Sequence, residues 1–251
     1  MDVTGLQLAL LVAFVFLTSV LSGIFGMAGG LVLLAGLLAV LPVVIVLFVH
    51  GIVQLVANAS RAAFLLPHVR RDVVAWTSLG GLIAAGLLLV VAYRPARPLV
   101  MLTLGLLAGL VWLPPRVLAI DVTRPAHAVL CGLVSSGLTI MVGVAGPILD
   151  SFFVRSALDR RAVVATKAMV QTLSHGLKVA FYGGLAGAGP AEGIGWLAIL
   201  APAVGAAVAG TALGGRVLER MTDRSFRAWT RWIISAVGLW LVLTSLRDLL
   251  A

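Results

Sequence analysis

Two glycine-rich stretches decide the fold of this chain: residues 26–30, Gly-Met-Ala-Gly-Gly, and residues 143–147, Gly-Val-Ala-Gly-Pro. Each stretch leads into an apolar run, at residues 31–40 and 148–154, that is too short to cross a bilayer, because a full span needs about 20 residues. Lipid does not tolerate unpaired backbone amides, so such breaks belong in the protein interior or beside a water-filled cavity. The sequence therefore predicts two short or re-entrant helices that begin at these breaks.

Longer apolar runs make up most of the remaining chain. They lie at residues 6–25, 43–66, 73–91, 99–113, 126–142, 162–185, 194–218 and 226–246. Of the 251 residues, 61% are hydrophobic and only 11% are charged, whereas a soluble domain carries about 25% charged residues. The chain lacks the polar surface needed in water, so its solvent is lipid. The predicted fold is an all-α polytopic membrane protein with about eight full transmembrane helices plus the two short helices.

The formal net charge of +9 could suggest nucleic-acid binding, in which basic residues cluster on one solvated face. Here the basic residues lie in short loops between the apolar runs, which is a topology signal, so we expect no nucleic-acid partner. The one cysteine, Cys131, argues against a disulfide framework and a cysteine metal cluster. The motifs of the common enzyme classes are missing from the sequence, and we expect neither catalysis nor a cofactor.

The two breaks belong to an internal repeat with a constant offset of 117 residues, and the register continues without a gap into the apolar run that follows. The matched pairs include Gly26 with Gly143, Gly29 with Gly146, Ser22 with Thr139, Gln54 with Gln171, and Arg61 with Lys178. Two glutamines matched at the same offset as the glycines are difficult to obtain by chance in so apolar a composition. We interpret residues 1–114 as a first transmembrane repeat and residues 115–251 as a second.

The charged loops indicate how the chain is oriented. Cytoplasmic loops of membrane proteins are enriched in Lys and Arg. The loops at residues 155–161 and 216–231 are the most basic, whereas residues 186–195 carry Glu192 and no basic side chain. The first two loops are therefore predicted to be cytoplasmic and the third to lie outside.

This orientation makes the second repeat inverted relative to the first. The run at 162–185 leads outward, while its counterpart at 43–66 ends just before a pair of arginines and leads inward. Equivalent helices that cross in opposite directions are typical of many secondary transporters. Two residues do not fit, since the same topology places Arg94 and Arg97 outside.

Two stripes of polar residues run along equivalent apolar segments. The first is His50, Gln54, Asn58 and Arg61, and the second is Lys167, Gln171, His175 and Lys178. Spacings of 4, 4 and 3 residues place each stripe on one face of a helix. Polar groups at bilayer depth are costly and usually face a bundle interior or a pathway. Because the stripes carry cations and amides with no nearby carboxylate except Asp150, their chemistry suits a small anion.

Each polar residue also has a simpler interpretation as part of helix packing. Gln and Asn often hydrogen-bond between helices, and Arg61 could equally extend its side chain to the membrane surface. His50 and Lys167 lie near the starts of their predicted helices, so we interpret them as interfacial residues and not as ligands. The duplication of Gln54 and Gln171 favours a role in lining a pathway.

The glycine breaks supply a second set of candidate ligands. Glycine can simply permit close helix packing, but these glycines precede short helices whose amino ends offer free amides and a partial positive charge. Hydroxyl side chains lie four residues before both breaks. The predicted substrate-binding residues are Ser22, Gly26, Gly29, Gly30, Gln54, Asn58, Arg61, Thr139, Gly143, Gly146, Gln171, His175 and Lys178.

The sequence around these residues resembles the TauE/SafE sulfite exporter family. The matching segments are residues 22–30, Ser-Gly-Ile-Phe-Gly-Met-Ala-Gly-Gly, residues 136–137 and 143–147, Arg61-Ala62-Ala63-Phe64 and Lys178-Val179-Ala180-Phe181. The resemblance covers nearly the whole chain, including its size and its duplicated topology. It implies export of small sulfur-containing anions such as sulfite, sulfoacetate and related sulfonates.

Together these observations predict a multi-pass protein of the bacterial inner (plasma) membrane that exports a small anion by alternating access between its halves. The alternative, from another class of protein, is a membrane scaffold or accessory subunit that transports nothing. In that alternative the two polar stripes should pack against each other without a cavity. The expected partners are the anionic substrate and the lipid bilayer, and a homodimer is left open.

Overall fold

The computed structural model describes residues 5–112, 120–185 and 196–250. Within these ranges the chain forms helices and short connections, with no β-strand, so the predicted all-α fold is confirmed. The predicted boundary between the two repeats, at residues 114 and 115, lies outside the described residues, and so does the predicted outer loop at 186–195.

Ten α-helices follow one another in the described ranges. They are α1 Gly5–Phe25, α2 Met27–Val40, α3 Val43–Phe64, α4 Arg71–Val90, α5 Arg97–Gly109, α6 Pro125–Val142, α7 Gly146–Phe153, α8 Arg160–Ala180, α9 Trp196–Leu218 and α10 Asp223–Leu250. Single 3₁₀ turns follow α3 and α5, and a π-helical turn, Phe181–Leu185, continues α8. Each glycine break is followed by a short helix, α2 or α7, as the sequence predicted.

Six helices among the described residues are long and apolar enough to cross a membrane: α1, α3, α4, α6, α9 and α10. Helix α5 is apolar but has only 13 residues, and α8 has 21 residues but carries one of the polar stripes. By length and composition, the structure therefore supports six of the eight full spans that the sequence predicted.

Two helix pairs run parallel and touch through glycines. A Cβ placed on Gly132 of α6 would overlap the carbonyl oxygen of Thr77 in α4. Likewise, a Cβ on Gly210 of α9 would lie 2.5 Å from the carbonyl oxygen of Phe16 in α1, and one on Gly214 would overlap that of Val20. Backbones that approach this closely maximise van der Waals contact, which is how helices associate in lipid. These contacts join α4 to α6 and α1 to α9.

Two other helix pairs run antiparallel. In α3 and α8, Leu55 lies beside Gly176, whereas Gly51, one turn earlier, lies beside Val179. In α5 and α10, Arg97 forms an ion pair with Asp248. At the other end of this second pair, the Trp112 indole donates a hydrogen bond of 2.8 Å to the Ser235 hydroxyl.

Helix α2 lies at the centre of the molecule. Its apolar side chains are buried on several faces, including Leu33, Leu34, Leu37 and Leu38. It packs against α1, α3 and α10, and a helix that is hydrophobic all round is expected to be buried. The glycine break at its amino end is therefore held inside the protein.

Candidate functional site: a polar cavity between the glycine breaks

Both breaks have a positive φ angle at their first glycine. Gly26, which follows α1, has a φ angle of +63°, and Gly143, which follows α6, has a φ angle of +103°. This region is open to glycine and strained for most other residues. The glycines that match at the 117-residue offset are thus the points where both helices end.

The two breaks meet in space. Met27, the first residue of α2, packs against Gly146, the first residue of α7, so closely that a Cβ on Gly146 would overlap the Met27 side chain. The amino ends of both short helices therefore lie at one place in the protein interior.

A small polar cavity lies at this meeting point. It measures about 20 Å³, which is room for about one water molecule. Its lining comes from α2, α3, α6, α7, α8 and the second break: Met27, Gly30, Gln54, Ser135, Thr139, Val144, Ala145, Gly146, Leu149, Gln171, Ser174 and His175. None of these side chains is a carboxylate. The polar groups of the lining are amides, hydroxyls and an imidazole.

Six of the thirteen predicted site residues line this cavity: Gly30, Gln54, Thr139, Gly146, Gln171 and His175. The two matched glutamines are thus brought to one cavity from two different helices. The other seven lie around it without forming its lining: Ser22, Gly26, Gly29, Asn58, Arg61, Gly143 and Lys178.

The two cations that match in the repeat, Arg61 and Lys178, each bond to the carboxyl end of the helix that precedes a break. The Arg61 guanidinium donates a hydrogen bond of 2.9 Å to the carbonyl oxygen of Ser22, near the end of α1. The Lys178 ammonium donates one of 3.1 Å to the carbonyl oxygen of Gly143, just after α6. Cations are stabilising at helix carboxyl ends, where carbonyls lack helical partners. The Arg61 side chain therefore reaches the neighbouring helix α1.

His50 lies in the interior, and its interpretation as an interfacial residue is wrong. Its Nε2 atom lies 3.0 Å from the carbonyl oxygen of Gly30, and its Nδ1 atom lies 2.8 Å from Nζ of Lys178. Both side chains are fully buried. The helix begins at Val43 as expected, and the prediction failed because the burial of His50 depends on how α3 packs against α2 and α8, which position along the helix does not reveal.

His175 connects this pair to the cavity. Its ring meets the His50 ring edge-on with a centroid separation of 5.7 Å, and it also lines the cavity. Its Nδ1 atom is buried and has no hydrogen-bond partner. Buried polar atoms are usually paired, so this nitrogen is available to a ligand or a water molecule in the cavity.

Some of the residues singled out in the sequence have contacts that stabilise the helices themselves. A Cβ on Gly29 would overlap the backbone of Ser22, so this glycine allows α1 and α2 to touch. The Asn58 amide donates to the carbonyl oxygen of Gln54 in its own helix. Lys167, predicted to be interfacial, forms an ion pair with Asp150. A larger residue at position 29 would separate two helices whether or not an anion binds there.

Two polar residues of the cavity lining, Ser135 and Ser174, were not predicted from the sequence. Ser135 precedes Thr139 by four residues and Ser174 follows Gln171 by three, so helical spacing places both on the faces already selected. Hydroxyls in apolar helices commonly donate to a carbonyl of their own helix, so a serine in such a helix does not by itself indicate a binding site. Within the described ranges, no three His, Cys, Asp or Glu side chains are grouped as a metal site would require.

Six apolar helices of spanning length, together with a polar cavity inside the protein, define a multi-pass α-helical membrane protein. The model of the family "Sulfite exporter TauE/SafE" matches residues 11–241. The chain therefore belongs to the TauE/SafE family of membrane transporters. Neither the comparison with curated proteins nor the comparison with solved structures finds a match.

Proposed function

We propose that this protein exports a small sulfur-containing anion, such as sulfite or a sulfonate, across the bacterial inner membrane. The cavity between the two glycine breaks carries this proposal, because its polar lining contains donors and no carboxylate. Membership of the sulfite exporter family supports the same substrate class.

The donors around the cavity suit the oxygen atoms of such an anion. The amides of Gln54 and Gln171 and the hydroxyl of Thr139 can each donate a hydrogen bond. The amino end of α7 begins at Gly146, and a helix amino end favours negative charge. Hydrogen bonds to a charged group contribute about 1.5–3 kcal/mol each, so a few of them can hold an anion in a dry site.

The size of the cavity supports an alternating-access mechanism. A space of about 20 Å³ holds about one water molecule, and a sulfite ion has four heavy atoms. The anion can therefore enter only after the surrounding helices move. We propose that the two halves move against each other to open the cavity to one side of the membrane at a time.

The directions of the helix pairs support an inverted repeat. The 117-residue offset maps α1 onto α6 and α3 onto α8. The order of the helices along the chain then pairs α4 with α9 and α5 with α10. The parallel pair α1–α9 then becomes the parallel pair α6–α4, and both pairs touch through glycines. In the pairs α3–α8 and α5–α10, each helix is the counterpart of the helix that it contacts, and both pairs are antiparallel. Antiparallel equivalent helices are what an inverted repeat requires.

We propose that α5 and α8 complete a set of eight full spans. Helix α8 has 21 residues, about 32 Å at 1.5 Å per residue, and its polar stripe faces α3 and the cavity instead of lipid. Helix α5 continues through a 3₁₀ turn to Trp112. The short helices α2 and α7 are then the re-entrant elements, each beginning at a break.

In this topology the two ends of α10 lie on opposite sides of the membrane. A reporter inserted within residues 219–222, between α9 and α10, should report the cytoplasm, and one fused after residue 251 should report the periplasm. Arg97, which does not fit the charge rule, is paired with Asp248 near the end of α10, so its charge is offset on the outer side. Finding both reporters on the same side would contradict the inverted repeat.

Transport itself is tested in proteoliposomes loaded with labelled sulfite or sulfoacetate. An inside-negative potential contributes about 2.3 kcal/mol per charge per 100 mV, so it should accelerate efflux relative to zero potential. Protein-free liposomes give the background leak. Efflux no faster than this leak for either anion, from correctly folded protein, would contradict the proposal.

The scaffold alternative is less favoured by the same observations. It predicted two polar stripes packed together with no cavity. The stripes do pack together at His50 and Lys178, but members of both stripes also line a cavity. A scaffold also has no need of an unpaired imidazole nitrogen in its interior. Unchanged stability together with lost efflux in a cavity variant would further separate the two functions.

A further inference from the structure

We propose that His50 and Lys178 together bind one exchangeable proton, and that this proton is taken up together with the anion. The inference rests on the proposed function, and it assigns the pair a role in ion coupling instead of direct substrate contact. The two residues come from α3 and α8, whose antiparallel contact creates the site.

The hydrogen bonds of His50 define its tautomer. The carbonyl oxygen of Gly30, 3.0 Å from Nε2, can only accept a hydrogen bond, so Nε2 carries a hydrogen atom. The Nδ1 atom of a neutral ring then has a free lone pair, which accepts from Lys178 at 2.8 Å. A second proton on His50 would place two cations in contact inside the protein, so the pair carries at most one positive charge.

Lys178 can release a proton without losing either of its hydrogen bonds. Within the described residues, its Nζ atom bonds to Nδ1 of His50 and to the carbonyl oxygen of Gly143. An ammonium has three hydrogen atoms and a neutral amine has two, which is the number these bonds need. The neutral pair is therefore fully hydrogen-bonded, and the third hydrogen of the ammonium is the exchangeable proton.

Among the residues that the structure describes, no carboxylate lies where it would neutralise the pair. The ion pairs of the described residues are Arg70–Asp72, Arg97–Asp248 and Lys167–Asp150. The other titratable or charged groups on the helices packed around the pair are His175, Tyr182, His127, Cys131, Arg61, Arg71, Arg160, Arg161, Arg216 and His68, while α2 carries none. The charge on the pair is thus balanced by helix carbonyls alone, and an anion in the cavity would complete the balance.

The matched cation of the first repeat differs in this respect. Arg61 also bonds to a carbonyl at a helix end, but a guanidinium does not lose its proton in proteins. The residue that matches His50 in the second repeat is Lys167, which pairs with Asp150 instead. A titratable cation beside an imidazole therefore occurs in one half only, so the two halves hold one proton between them.

Proton and anion binding should reinforce each other, since linkage is reciprocal. The imidazole ring of His175 separates the pair from the cavity. At a separation of roughly 7 Å and an effective dielectric constant of about 20, a unit charge on the pair changes the affinity for a monovalent anion about 50-fold. The affinity for the anion should accordingly fall by about this factor as rising pH removes the proton. An anion in the cavity should in turn raise the proton affinity of the pair.

The test is a titration of purified protein with sulfoacetate in weak buffer between pH 6 and 9. The carboxyl group of this ligand titrates near pH 4, so its own charge stays constant. We expect wild-type protein to take up as much as one proton per bound anion within this range. His50→Gln should bind the anion with little proton uptake, and Lys178→Arg, which keeps the charge, should bind it with an affinity that does not change with pH. Lys167→Met is the matched control and should behave as wild type.

Proton uptake that persists in both His50→Gln and Lys178→Arg, and is lost in His175→Gln, would overturn the proposal and assign the proton to His175. Anion binding without proton uptake at every pH would also overturn it. If sulfoacetate does not bind at all, sulfoacetate is not the substrate, and the proton site has to be tested without an anion. Histidine ¹⁵N spectra of the anion-free protein then still decide whether His50 titrates together with Lys178, because Lys178→Arg should abolish that titration.

Discussion

Sulfoacetate should bind about a hundredfold more weakly when Gln54 and Gln171 are both replaced by alanine. Each amide lines the cavity, and a hydrogen bond to a charged group contributes about 1.5–3 kcal/mol, which is roughly tenfold or more in affinity. The two glutamines lie on different helices, so their contributions should add unless they share one oxygen atom of the anion. A binding titration on purified protein measures the effect.

Two hydroxyl residues on the same helices provide matched controls for this prediction. Ser60 in α3 and Thr172 in α8 each donate to a carbonyl four residues earlier in their own helix, and neither lines the cavity. Ser60→Ala and Thr172→Ala should leave the affinity within about twofold of wild type, since surface-like changes away from a site have small effects. Unchanged affinity in the double glutamine variant would mean that these amides serve helix packing, and the anion site would have to lie elsewhere.

Gly80→Ala is expected to destabilise the folded protein strongly. A Cβ at this position would overlap the carbonyl oxygen of Val129 in α6 and lie 2.7 Å from the amide nitrogen of Leu133. These are backbone atoms, so α4 and α6 would have to move apart along a glycine contact that keeps them parallel. Forcing extra atoms into a packed interior costs about 1–3 kcal/mol, and sometimes more. Thermal unfolding in detergent should show a lower Tm or loss of the monodisperse protein.

Gly86 in the same helix is the control for Gly80. A Cβ there meets no atom within 4 Å, and alanine is favoured over glycine in a helix by about 1 kcal/mol. Gly86→Ala should therefore be as stable as wild type or slightly more stable. Equal Tm values for the two variants would show that α4 and α6 do not approach as closely as the structure describes.

The sequence located the glycine breaks correctly because their cause is local. Gly26 and Gly143 adopt positive φ angles, which cost glycine little and most other residues considerably more. The short helices that follow begin within three residues of these glycines. The repeat was visible for the same reason, since a backbone conformation that requires glycine must be encoded at both matched positions. Gln54 and Gln171 were selected by helical spacing, which is also local, and both reached the cavity.

The partners of the cations could not be predicted in this way. Lys178 and His50 are 128 residues apart in the chain, and their contact depends on how α3 and α8 are rotated and shifted against each other. The same holds for Arg61, whose partner is a backbone carbonyl of Ser22 and has no side-chain signature in the sequence. Residue type indicated that these groups were unusual at bilayer depth, but not what they bonded to.

The sequence alone was enough to predict an α-helical membrane protein with two glycine breaks, because apolar run length and glycine backbone freedom are properties of the chain itself. The constant offset between the breaks is likewise the basis for proposing two related halves. Tertiary structure decided which polar residues meet: the glutamines and His175 at the cavity, Arg61 and Lys178 at helix ends, and His50 beside Lys178. Spacing places residues on a face of a helix, whereas the neighbour of that face is set by the close glycine contacts through which the helices pack in lipid.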